Sequence, residues 1–192
     1  MAMGSLLLAL LAACAAVPGA PDPSTFTTAT SSSRFEIGGR LSARHGNEGV
    51  SGHFTWKRSD GVDRIDVSSP LGQTVARLVG DASGVRLERP GDRVSAFADW
   101  NAMTREVFGV PIPVQGLAFW IVGEPVGHDG SAVERDAMGR LSVLRQQGWE
   151  IVYGYGEGAP PGRPTRLVMR YQDPEAVEVR IVVDRWSSGP AP

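Results

Sequence analysis

The chain of 192 residues has one cysteine, Cys14, so no disulfide can form within it. Its three histidines, His45, His53 and His128, are scattered without metal-ligand spacing, so a metal site is not expected. There is no Gly-x-Ser-x-Gly elbow and no second cysteine to act as nucleophile. Gly154-Tyr155-Gly156-Glu157-Gly158 leads into Ala159-Pro160-Pro161 and not into a helix N-terminus, which argues against a phosphate cradle. Carboxylates fall mostly in turns or on outward strand positions, where they are ordinarily solvated. No cofactor is expected, and binding is favoured over catalysis. A formal charge of −2 gives no reason to expect nucleic acid or an anionic surface as partner.

Long hydrophobic runs are also missing. The apolar run from Ser5 to Cys14 is too short to span a bilayer. It ends in small residues, as a cleavable signal does, and Leu11-Ala12-Ala13-Cys14 resembles a bacterial lipobox. That resemblance implies cleavage after residue 13 and acylation of Cys14, although residues 1–13 lack the usual Lys or Arg. Ala15 follows the cysteine where an Asp would resemble an inner-membrane retention signal, so the outer membrane is implied. Residues 15–33 are dominated by Ala, Pro, Ser and Thr and read as a tether. Its root-mean-square reach would be roughly 25 Å.

What remains, residues 34–186, reads as one domain followed by a disposable tail over 187–192. With 42% hydrophobic and 21% charged residues, the chain can bury a sizeable core. Phe35, Ile37, Gly39, Leu41 and Ala43 alternate with polar neighbours, as do Val50, Gly52, Phe54 and Trp56. Ile65 and Val67 alternate likewise, and Gln73 to Val79 pairs with them as a hairpin. Val85 to Arg89 is a short strand ended by Pro90-Gly91-Asp92. The period then changes. After the N-cap candidate Asp99, Trp100, Met103, Val107 and Phe108 have helical spacing. Residues 110–114 form an extended Pro-rich connector, and Leu117, Trp120 and Ile121 suggest a second short helix. Strands resume at 132–135, 141–146, 149–155, 166–171 and 177–183. About nine to eleven strands in one antiparallel sheet would curl, giving a mainly β (α+β) fold. If the helices cover one face and the curl does not close, the concave space is either packed core or cavity.

One turn is unusual. Ser69-Pro70-Leu71-Gly72 joins two strands with residues suited to a tight turn, yet carries a leucine at its tip. That side chain is either tucked onto the sheet or offered to something apolar outside, and singly exposed leucines are common.

These pieces together resemble the LolB family of outer-membrane lipoproteins. The resemblance runs from about Phe35 to Trp186 through Gly39-Arg40-Leu41-Ser42, Ser51-Gly52-x-Phe54-x-Trp56 and Ser69-Pro70-Leu71-Gly72-Gln73-Thr74. It continues through Gly109-Val110-Pro111-Ile112-Pro113-Val114, Leu117-x-x-Trp120-Ile121-Val122-Gly123-x-Pro125, Gly139-Arg140-Leu141 and Gln147-Gly148-Trp149-x-Ile151-x-Tyr153. It implies an open antiparallel half-barrel whose concave face is covered by two or three helices. It implies a monomeric receptor that takes acylated lipoproteins from the periplasmic carrier LolA and inserts them into the outer membrane. Relatives often have a helix before the first strand, whereas residues 24–33 look too rich in small and β-branched residues for one. Leu71, flanked by Pro70 and Gly72, matches the family's protruding membrane-engaging residue. The implied acyl-chain cavity would be lined by Phe54, Trp56, Ile65, Val67, Trp100, Met103, Leu117, Trp120, Ile121, Trp149, Ile151 and Tyr153. The alternative is that these residues fill the core of a scaffold lipoprotein with no cavity.

Overall fold

A computed structural model of the chain describes residues 34–91, 93–108, 112–127, 131–171 and 177–187. The implied signal, Cys14 and the tether lie outside these residues, as do any N-terminal lid helix, His128 and residues 188–192. The strands are β1 (Phe35–His45), β2 (Glu48–Ser59), β3 (Val62–Ser68), β4 (Thr74–Asp81), β5 (Gly84–Arg89) and β6 (Arg93–Phe97). Helices α1 (Trp100–Phe108) and α2 (Val114–Trp120) follow. The chain continues with β7 (Ala132–Arg135), β8 (Leu141–Gln146), β9 (Trp149–Gly154), β10 (Arg166–Tyr171) and β11 (Val177–Ser187).

All eleven strands form one antiparallel sheet in the order β6-β5-β4-β3-β2-β1-β11-β10-β9-β8-β7. Each half is a meander, and the first and last strands join the halves through ten paired positions from Glu36–Ser187 to His45–Val177. The sheet stays open, with β6 and β7 as its edges. Alternation sets its faces. Ile37, Trp56, Ile65, Leu78 and Leu87 form one cross-strand row, and Leu41, Ile181, Leu167 and Tyr153 another. Outward positions carry ion pairs, among them Arg40–Asp184, Arg77–Asp66 and Arg170–Glu178. Such exposed pairs add little stability each but keep the convex face polar.

The periodicity captures ten of the eleven strands and misses β6. Arg93, Ser95 and Phe97 occupy its inward positions, so its only apolar signal there is Phe97. Helix α1 starts as expected, with the Asp99 carboxylate accepting from the Ala102 N–H at 2.7 Å. Helix α2 begins at Val114, inside the stretch whose prolines suggested an extended connector; Pro113 directly precedes its first turn.

Topology places the helices. The chain leaves edge β6 and must reach the opposite edge, β7, so the intervening segment crosses the concave side. At one end the Trp100 indole lies against Gly80 of β4, where an added Cβ would stand 2.6 Å from the ring. At the other, the Trp120 indole N–H donates to the Gln146 side-chain oxygen of β8 at 2.9 Å. The Thr104 hydroxyl ties α1 to the connector, accepting from the Ile112 N–H at 2.8 Å.

A buried ion pair sits on the same inner face. Asp63, 1% exposed, accepts from Arg58 at 2.7 Å and from the Trp56 indole at 2.8 Å. Burial pushes its carboxyl above the usual range, and Arg58 and Trp56 oppose that shift. Removing one member of such a pair strands the other charge in the core. Asp63→Ala is therefore expected to lose about 3–5 kcal/mol in urea unfolding, and Arg58→Met with Asp63→Leu to recover most of it.

Candidate functional site

The loop Ser69–Gln73 is a tight turn. The Gly72 N–H donates to the Ser69 carbonyl at 2.9 Å and the Ser69 N–H to the Gln73 carbonyl at 2.8 Å. Pro70 and Leu71 occupy the central positions, and Gly72 has φ +83°, a conformation that favours glycine. This geometry leaves the Leu71 side chain outside: it is 89% exposed. Leu71 is therefore not tucked back onto the sheet.

An apolar strip runs inward from this loop. Val67 pairs with both Phe54 and Ala76, and Leu41 and Ala43 continue on β1. Leu41, Ala43, Ile65, Val67 and Ala76 are half-buried against the core, and Val50 is 52% exposed at the same end of the sheet. Deeper in, Phe54, Trp56, Trp100, Met103, Leu117, Trp120, Ile121, Trp149, Ile151 and Tyr153 are all buried in one continuous hydrophobic cluster. The residues singled out from the sequence as cavity walls are thus brought together, Ile65 and Val67 at its rim. In this structure they pack on one another beneath the helices. Beside the start of α1 is a crevice of about 20 Å³, lined by Asp99, Trp100, Asn101, Pro113 and Gln115, with room for a water molecule and no acyl chain.

Three polar atoms in this core have no hydrogen-bond partner among the described residues: Arg58 Nε, Trp100 Nε1 and the Tyr153 hydroxyl. The Tyr153 hydroxyl is held far above the ordinary phenol range, first by burial and then by Tyr155. Trp100 and Tyr153 thus give the cluster an apolar lining that includes polar groups unsatisfied among the described residues.

Gln146 is the residue that sequence reasoning did not single out. Besides the Trp120 indole, its oxygen accepts from the Val126 N–H at 2.9 Å, and its amide donates to the Val126 carbonyl at 2.8 Å. One buried amide thereby pins the end of α2 and the segment after it to β8. Its place opposite Trp149, in step with the inward Leu144, was the available signal. Asp63 likewise shares the inward parity of Ile65 and Val67, but its residue type reads as exposed.

Residues 33–186 match the family described as outer membrane lipoprotein LolB. The chain belongs to the LolB family. It is 38% identical over 181 residues to the outer-membrane lipoprotein LolB of Thiobacillus denitrificans, covering 94% of this chain and 93% of the relative. The LolB of Azoarcus sp. is 35% identical, with 93% and 90% covered, and that of Pseudomonas aeruginosa 32% identical, with 93% and 91% covered. Among solved structures, a LolA superfamily protein from Nitrosomonas europaea superposes with a TM-score of 0.49 at 8% identity, over 84% of this chain and 89% of that one. This family member is an outer-membrane lipoprotein.

Gln146→Leu keeps the volume of the buried amide but leaves the Trp120 indole and both Val126 backbone groups without partners. A destabilisation of about 2–4 kcal/mol in urea unfolding is expected. Amide exchange should rise first in α2.

Proposed function

We propose that this protein receives acylated lipoproteins from a periplasmic LolA-type carrier and inserts them into the outer membrane. Cys14 would carry the acyl anchor and residues 15–33 the tether, with the domain acting as a monomer. The observation carrying this reading is Leu71, an aliphatic side chain held in the solvent by a well-bonded turn, at the head of an apolar strip leading under the helices.

Magnitudes then constrain the mechanism. Leaving one long acyl chain in water costs roughly 10 kcal/mol, at about 0.8 kcal/mol per methylene. Transfer from one apolar enclosure to the next, and then to lipid, avoids that cost without an energy source. The receiving enclosure must be made, because Trp100, Met103, Leu117 and Ile121 occupy it. Exposing four such side chains costs about 6–12 kcal/mol, at roughly 1.5–3 kcal/mol each. The two quantities are of the same order, so an entering chain can offset the displacement of α1 and α2. Passive exchange between a closed and a loaded form follows, with the half-buried Val67–Ala76 strip as the way in.

The filled core also suits a second reading, a scaffold lipoprotein whose helices never lift. Transfer from the purified carrier separates the two. A Leu71→Glu variant is expected to accept lipoprotein from the carrier as the parent does, yet to insert it into vesicles at least tenfold more slowly. Equal insertion removes the assigned role of Leu71. No acceptance by the parent favours the scaffold.

A further inference from the structure

We propose that Arg89 and Arg93 form a phosphate-binding pair that seats this end of the domain on an anionic phospholipid surface. The proposal rests on the reading of Leu71 as a membrane-inserting residue and adds the headgroup chemistry beside it.

Arg89, the last residue of β5, pairs directly with Arg93, the first of β6. Like charges opposite one another in a sheet are unfavourable, and no ion pair to either guanidinium occurs among the described residues. Arg93 donates only to the Pro90 carbonyl of its own turn, at 3.4 Å. The turn holds one carboxylate, Asp92, which lies outside the described residues, so two cations face at most one local counter-charge. Several arginines elsewhere on the sheet are matched by carboxylates, Arg77 with Asp66, Arg86 with Glu88, Arg145 with Glu134 and Glu150, whereas Arg89 and Arg93 face each other.

Its position gives the partner. Arg77 pairs with Glu88, so one further step of the same register sets Arg89 beside Ala76. Arg89 shares its face of β5 with the buried Val85 and Leu87, and Arg93 shares its face of β6 with Phe97. The two guanidiniums therefore continue the row Phe54–Val67–Ala76 to the open edge of the concave side. The β5–β6 turn and the Leu71 loop close the same end of the sheet. Leu71 stands beyond the Ala76 row by roughly three residues, about 10 Å at 3.3 Å per residue. An apolar group buried about 5–10 Å into the headgroup–acyl boundary would bring that row to phosphate level. Two adjacent guanidiniums match the multiple acceptors of a phosphate better than one point charge does. A single leucine gives little hold on a membrane, and a basic pair is the complementary second signal. The formal net charge of −2 conceals this local pair.

The test uses the acylated full-length protein in vesicles, with an environment-sensitive label on Gln73→Cys at the loop base. The readout is the fraction of loops docked on phosphatidylcholine alone or with added phosphatidylglycerol. Phosphatidylglycerol should raise docking of the parent, and salt should screen the increase. Arg89→Gln with Arg93→Gln should lose that increase roughly tenfold while keeping the phosphatidylcholine level. Arg89→Lys with Arg93→Lys should restore most of it. Leu71→Glu should lower docking on both vesicles, so a failure of the leucine reading shows on phosphatidylcholine and a failure of the arginine pair does not. The proposal is overturned if the glutamine variant, folded by its cooperative unfolding, keeps the phosphatidylglycerol response. It is equally overturned if neither vesicle docks the loop, or if the variant slows only acceptance from the carrier, which would assign the pair to an acidic protein surface.

Discussion

Two free edges and one strand of chain between them govern this molecule. Because β1 pairs with β11 in the middle of the sheet, the edges are formed by β6 and β7, which are consecutive in sequence. The segment from one to the other crosses the inner face of the sheet. The crossing segment carries Trp100, Met103, Leu117, Trp120 and Ile121, and burying them against the inner rows gives it its place. Helices laid across an open sheet in this way are attached at their ends. Here the ends are Trp100 on Gly80 and Trp120 on Gln146, with Thr104 bonded to Ile112 between them.

That attachment differs from the bonding of the sheet. The β1–β11 ladder is a run of backbone hydrogen bonds that nothing in the site requires to open. The helices depend mainly on apolar burial and a few side-chain bonds, and apolar burial can be exchanged for burial of a different apolar partner. Under the proposed function an incoming acyl chain would be such a partner, with the same surface serving as core when empty and as lining when occupied. The three buried polar atoms that lack partners among the described residues, at Arg58, Trp100 and Tyr153, weaken this packing.

Much of this was legible from alternation. The inward rows containing Phe35, Ile37, Trp56 and Val179 are plain two-residue patterns, and the helical spacing after Asp99 stands out against them. The turn at Ser69-Pro70-Leu71-Gly72 announces itself because its chemistry is ordinary except for the leucine. β6 was not legible, since Arg93 and Ser95 hold inward positions that an apolar pattern cannot reveal. The closure of β1 on β11 involves residues more than a hundred positions apart, and no local period encodes it. Asp63 and Gln146 were hidden for a different reason: polar residues are read as exposed by default, and only partners supplied by Arg58, Trp56, Trp120 and Val126 make their burial tolerable. The candidate walls lie in or against one buried cluster, and side-chain type could not say whether that cluster encloses space or fills it.

The proposed transfer requires the core beneath α1 and α2 to admit an acyl chain. A photoreactive side chain in place of Leu117, with the carrier delivering a lipoprotein labelled in its acyl chains, addresses this at the atom concerned. Crosslinks from position 117 to the acyl label, absent with a non-acylated cargo, are the predicted result. Crosslinking confined to an exposed control such as Met138, with none at 117, would contradict it.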